Sequence, residues 1–223
     1  MEIQHKGWDW DAVKSESWNE ISEEFLPVAL SWVRKYHSVL DIGTGKGRHA
    51  FFFAKNGFKA SAIDLSESSI TYVKEQIKEK GLDNIDARVE DMTELSYENQ
   101  SFDCVICFHT IYHTSYDGVV KALREINRVL KDKGEAFISF NTKDNPHYVK
   151  EKTVDGYTMI ATEGHEAGIP HCYVDENDLF GLLQDFEILS MNKEINYVRK
   201  GKETHGVPVS YTHLRAHETG RNL

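Results

Sequence analysis

Apolar residues fall along the chain in short continuous runs, and stretches with helical spacing separate them. Ser38–Ile42, Lys59–Ile63 and Ile85–Val89 read as strands, and Asp103–Phe108 is an apolar run of the kind buried on both faces of a sheet. Between them, Lys46–Asn56 reads as a helix ended by Gly57. Ile70, Val73 and Ile77 line one face of a second helix, which Ser66 can cap and Gly81 can end. Asp117 is placed to cap a long helix striped by Val119, Val120, Leu123, Ile126 and Leu130, with Lys121, Arg124 and Arg128 towards solvent. Gly134 closes that helix and Glu135–Phe140 follows as a fifth strand. The rhythm predicts an α/β fold: a Rossmann-like, doubly wound, mostly parallel sheet of about seven strands with helices on both faces.

The flanks are less regular. Trp18, Ile21, Phe25, Leu26, Ala29, Leu30 and Val33 approximate helical spacing, with Pro27 breaking them into two helices. With Trp8, Trp10 and Trp32 this aromatic start suits a cover over a ligand. From Asn141 to Asp175, Gly156, Gly164, Gly168 and Pro170 punctuate a polar stretch that reads as an insertion near the strand ends, with a short strand at Tyr157–Ala161. Asp175 then caps a helix through Leu179, Leu182 and Leu183, and Phe186–Leu189 and Ile195–Val198 read as hairpin arms. We therefore expect one domain over 1–208: a helical lid at 1–37, a cofactor-binding core at 38–141, a substrate-side insertion at 142–174 and a closing helix and strand at 175–208.

Residues 209–223 are set apart. Val209–Thr219 resembles the translation of a common transposase sequencing adaptor, so the segment is expected to be a non-native tail. On that reading the final strand of the sheet is lost or replaced by the tail, and His213 and His217 carry no functional weight.

Composition narrows the partners. A net charge of −10 disfavours nucleic acid or an anionic membrane as the main partner. No apolar run approaches the ~20 residues of a membrane span, and the first ten residues lack a signal-peptide core, which reads as cytoplasmic. Cys104 and Cys107 have the C-x-x-C spacing, but inside a strand they point to opposite faces and cannot share a site. With Cys172 they read as buried structural thiols.

The chemistry concentrates in Asp41-Ile42-Gly43-Thr44-Gly45-Lys46-Gly47-Arg48, a strand end, a tight glycine turn and a helix start. A dinucleotide fingerprint needs a small residue where Arg48 stands, and no Lys-Ser/Thr closes a phosphate loop. The pattern present is acid-x-G-x-G-x-G. An acid at the strand end would repel a pyrophosphate and suits a cationic ligand, which disfavours a nicotinamide-dependent oxidoreductase.

These motifs resemble those of class I S-adenosylmethionine-dependent methyltransferases of the small-molecule, tellurite-resistance-like type, over roughly residues 32–196. The resemblance implies that Gly43, Gly45 and Gly47 let the cofactor's methionine part approach while Asp41 orients the loop and the ammonium end. Asp64, 23 residues after Asp41, would accept from both ribose hydroxyls, with Leu65 on the adenine. Asp91 would accept from the adenine amino group beside Met92, and Phe108 would border the cofactor.

Phe108–His113 follows strand four, where such folds place the reacting centre. His109 and His113 are the candidate catalytic bases, since imidazole titrates near neutral pH. Trp10, Tyr112, His165 and His171 are placed on the acceptor side. No metal is expected: the spacing of these histidines and carboxylates matches no defined motif, and HExxH is absent. The implied activity is methyl transfer from S-adenosylmethionine to a small molecule. The alternative is a non-catalytic or regulatory protein that binds the same cofactor.

Overall fold

The computed structural model describes residues 20–162, 166–200 and 203–218, the side chains of 196–200 and 203–207 aside. Trp8, Trp10, Trp18, Glu163 and His165 lie outside these residues, and with them most of the expected lid.

Strands β1 (Ser38–Ile42), β2 (Lys59–Asp64), β3 (Ile85–Val89), β4 (Phe102–Cys107) and β5 (Leu130–Thr142) are parallel and run in the order β3-β2-β1-β4-β5. Helices α2 (Arg48–Lys55), α3 (Glu67–Lys80) and α4 (Tyr116–Val129) make the crossovers. The sheet divides the interior in two. Val39, Cys104 and Ile106 pack with α2, α3 and α1 (Leu26–Val33). Leu40, Val105 and Cys107 pack with the Val119, Leu123 and Ile126 face of α4. Period-2 alternation along β4 thus sends Cys104 and Cys107 into different cores.

Most boundaries follow their capping residues. Ser66 caps α3 by accepting from the Ser69 N–H, and Gly81 ends it in the left-handed region. The cap of α4 is Ser115, which accepts from Gly118 N–H, while Asp117 sits in the first turn and favours the helix dipole from there. Helix α4 ends earlier than expected, at Val129. Leu130 already pairs with Phe102, and Lys131–Gly134 forms an irregularity in the ladder with Lys133 at φ +60°. Pro27 does not break a helix: it stands in the first turn of α1, where its missing N–H costs nothing, and Glu23–Phe25 before it form a turn.

The insertion forms an antiparallel pair, β6 (Thr158–Ile160) and β7 (Pro170–Val174). Strand β7 joins Asn141 and Thr142 on the edge of β5 that β4 occupies lower down. It therefore continues the sheet beyond the end of β4, and Cys172 N–H donates to the Tyr112 carbonyl in the loop after that strand. Asp175 caps α5 (Glu176–Leu182) in a reciprocal capping box with Asp178.

The expected short hairpin arms are one strand, β8 (Phe186–Lys200). It pairs with β9 (Glu203–Ala216), and an irregularity between Ile188 and Ser190 resets the register between them. Strand β9 also runs antiparallel to β5 from Val209 to Arg215, so the adaptor-like segment occupies the final-strand position. It fits there because its residues alternate: Val209 and Tyr211 enter one core, and Leu214 and Ala216 the other.

A single buried carboxylate ties these layers. Glu135, at the foot of β5, accepts from Trp32 Nε1 at 2.8 Å, Tyr36 Oη at 3.0 Å and His213 Nε2 at 2.8 Å, and pairs with Lys35 at 2.8 Å and Arg215 at 3.3 Å. Burial alone would raise its pKa, but the bonds from His213, Lys35 and Trp32 win and hold it far below the usual range. No described helix is long and apolar enough to cross a membrane.

Glu135→Gln removes the charge and keeps the shape, and is expected to cost about 1–3 kcal/mol of stability at pH 7. Because the folded pKa is depressed, the stabilisation is present above the unfolded value of about 4.3 and fades as pH falls below it. Thermal melts from pH 7 to pH 3 should therefore bring wild type and variant together; a constant gap would contradict the assignment.

Candidate active site

Parallel strands place their carboxyl ends on one edge, and the order reverses between β1 and β4, which opens a crevice there. The glycine loop starts from β1, and Asp64, Asp91 and the His109–His113 loop follow β2, β3 and β4.

Asp41 builds the glycine loop. It is 1% exposed, and its Oδ2 accepts from Thr44 Oγ1 at 2.7 Å and from Ala50 N–H at 3.2 Å. Helix α2 begins at Gly47, which has no side chain to cap it, and Ala50 is its third residue, where a capping oxygen is wanted. Asp41 supplies that oxygen from the neighbouring strand. His49 packs between Phe25 and Phe108 with Nδ1 3.8 Å from Asp41 Oδ1, and burial lowers its pKa.

The turn needs its glycines. Gly43, Gly45 and Gly47 have φ of +67°, +54° and +80°. A Cβ on Gly43 would stand 2.1 Å from Thr110 Oγ1, so the loops after β1 and β4 touch across it. The Gly45 peptide is held from both sides: its N–H donates to Asp64 Oδ2 at 2.9 Å, and its carbonyl accepts from Ser69 Oγ at 2.6 Å.

Asp64 is 8% exposed, and burial raises its pKa against the N–H groups of Ser66 and Gly45. Each oxygen receives one backbone N–H, Oδ1 from Ser66 and Oδ2 from Gly45, which leaves acceptor capacity on both. Leu65 is half-buried and Met92 buried beside the same edge. Asp91 closes a turn by accepting from Thr93 N–H and Oγ1 through Oδ1, both at 2.8 Å.

The loop after β4 is strained and aromatic. His109 has φ +54°, and its N–H donates to Ser139 Oγ at 2.6 Å. Its Nδ1 lies 3.2 Å from Tyr112 Oη, and burial, with Arg48 and His49 nearby, lowers its pKa to about 4. Phe108 stacks on Tyr211 at 5.6 Å and carries the Arg48 guanidinium 5.2 Å from its ring centre. Burial, with His171 beside it, brings His113 to about 3. His113 meets His171 edge to face at 5.0 Å. His171 Nε2 is 3.5 Å from Glu166 Oε2, and His113, Glu166 and His171 place one ligand atom each within 4.8 Å of one another.

The structure thus brings Asp41, the three glycines, Asp64 and Phe108–His113 to one crevice edge, with Asp91 and Met92 along it and His171 above the loop after β4. Thr44, Ser69, Thr110 and Ser139 were missed in the sequence because single hydroxyls carry no pattern. Glu166 lies in the substrate-side insertion that the sequence marked out, in a stretch whose lack of periodicity gave it no partner. A separate cleft of 1310 Å³ lies at the opposite edge of the sheet. Of its cations, Lys35, Arg128, Lys133 and Arg215 are each paired with a carboxylate.

Residues 39–134 match the family described as "Methyltransferase domain". Over these residues, under half of its length, the chain is similar to methyltransferase domains. An uncharacterized methyltransferase of Bacillus subtilis is 30% identical over 129 residues, covering 58% of this chain and 48% of that protein. The chain spans about half the length of the curated relatives it matches. Among solved structures, a protein of Pyrococcus horikoshii superposes with a TM-score of 0.71 at 20% identity, covering 92% of this chain and 93% of that one. The 1,6-didemethyltoxoflavin-N1-methyltransferase of Burkholderia thailandensis, with its substrate and S-adenosylhomocysteine bound, superposes at 0.63 with 19% identity over 88% and 78%.

The residues fit S-adenosylmethionine, the cofactor that the sequence motifs imply: a glycine turn with no room for a Cβ, and a buried carboxylate with lone pairs to spare. Asp64→Ala should weaken S-adenosylhomocysteine binding by about 2–4 kcal/mol in calorimetry, since it removes two charged acceptors and the Gly45 tether. Unchanged affinity would remove Asp64 from the site. Gly43→Ala, forced into a left-handed φ and against Thr110, should lose at least about tenfold in the same titration, the equivalent of 1–2 kcal/mol of strain.

Proposed function

We propose that this protein transfers a methyl group from S-adenosylmethionine to a small-molecule acceptor, with S-adenosylhomocysteine as the second product. The observation that carries the reading is the contact of Thr110 with Gly43. It sets the loop that bears His109, Tyr112 and His113 directly against the turn that would hold the methionine part. The Burkholderia neighbour with 1,6-didemethyltoxoflavin bound supports the acceptor class.

When bound, the cofactor supplies an already activated sulfonium methyl group. The chain's own work is then alignment and exclusion of water. Gly43 and Gly45 give close approach to backbone, Asp64 would fix the ribose, and Asp91 with Met92 and Leu65 would frame the adenine. Tyr112 and Phe108 offer apolar walls. His109 and His113 are neutral at pH 7, the state in which an imidazole can accept a proton.

The reading is tested with methyl-labelled cofactor and fractionated metabolite pools. Label in a small product supports it; label only in macromolecules, or none while S-adenosylhomocysteine still binds, overturns it in favour of a macromolecular acceptor or a regulatory binder. Since both imidazoles titrate at about 4 or below, kcat/KM should stay level between pH 7 and pH 5. An acid limb centred near 6.5 would show a histidine in the ordinary state and contradict the assignment.

A further inference from the structure

We infer that His113, Glu166 and His171 form a binding site for a divalent transition-metal ion, of the zinc or iron(II) kind, on the acceptor side of the crevice. The location rests on the reading of the His109–His113 loop as the acceptor side; the site itself does not.

Two imidazoles and one carboxylate make a three-ligand set with positions left for an exogenous oxygen or water. The three ligand atoms already lie within 4.8 Å of one another, and Glu166 Oε2 and His171 Nε2 are 3.5 Å apart. Ligands in a tetrahedral shell with bonds of about 2.0–2.1 Å stand roughly 3.3 Å apart, so the Glu166–His171 pair is already near that spacing and side-chain rotation brings His113 to it.

The support around the ligands is of the kind metal histidines use. His171 Nδ1 donates to the Ile169 carbonyl at 3.2 Å, which fixes the tautomer and leaves the Nε2 lone pair facing Glu166. Cys172 N–H to the Tyr112 carbonyl at 2.8 Å pins the strand bearing His171 to the loop bearing His113. The Glu166 carbonyl accepts from Ile169 N–H at 2.8 Å, which fixes the turn that carries the carboxylate.

An ion there would neutralise Glu166 and draw an acceptor through oxygen. The acceptor class that fits is a hydroxyl compound with a second oxygen nearby, able to chelate. His113 then serves as ligand, and His109 is left as the imidazole free to accept a proton.

The test uses the whole chain, stripped with chelator and free of cofactor, titrated with Co²⁺ alone and followed by visible d–d absorption, then by calorimetry with Zn²⁺ alone. We expect one ion per chain, with affinity falling at least about tenfold in Glu166→Gln and in His113→Ala. Glu166 is half-exposed, so Glu166→Gln should keep the metal-free melting temperature and separates ligand loss from misfolding. Wild-type binding no tighter than that of Glu166→Gln overturns the site, whatever other histidines bind. Because no methyl transfer is measured, a metal site without turnover counts against the proposed function alone, and turnover without a metal site counts against this inference alone.

Discussion

The bond from Asp41 to the start of α2 is the constraint on which the rest of this molecule turns. A glycine at the helix cap is what lets a ligand approach bare backbone, yet it leaves the first N–H groups of α2 without an acceptor. A carboxylate from the end of β1 fills that role through Ala50 and Thr44. The helix end keeps its positive pole stabilised without a side chain in the way. Everything further out is hung from this arrangement: Thr44 N–H reaches the Ile63 carbonyl, Asp64 and Ser69 grip Gly45, and Thr110 closes over Gly43.

The layered fold was readable because its signals are local and repeated. Apolar runs of strand length and 3.6-period stripes give β1 to β4 and the crossovers α2 and α3 to within about two residues, while β5 starts at Leu130 and not at Glu135. The misreadings at Pro27 and Asp117 share one cause. Proline and a capping acid are each compatible with two neighbouring positions, and packing chooses between them: Phe25 must reach Trp32 and Phe137, and Ser115 leaves the strand loop one residue pair earlier. Strand β9 is the case where the tail replaces the final strand. Alternation is all a strand position in this sheet demands, and Val209–Ala216 has it.

The gathering of Asp41, Asp64 and Asp91 along one edge was legible because acids at strand ends stay there wherever the strands lie. The meeting of the histidines with Glu166 was not. His113 and Glu166 are far apart in the chain, and they meet only because β7 adds to β5 above the end of β4. No spacing rule anticipates a strand that joins the sheet after a neighbour has stopped.

The division of the interior by the sheet has a consequence for the three thiols. Cys104 belongs to the α1–α3 side, and Cys107 and Cys172 to the α4 side; burial pushes all three far from the thiolate state. Cys104 cannot meet either of the others in a disulfide while the sheet is intact. Each reacts only when its own compartment opens, so alkylation kinetics resolved by residue would read the opening of the two cores as two separate clocks within one chain.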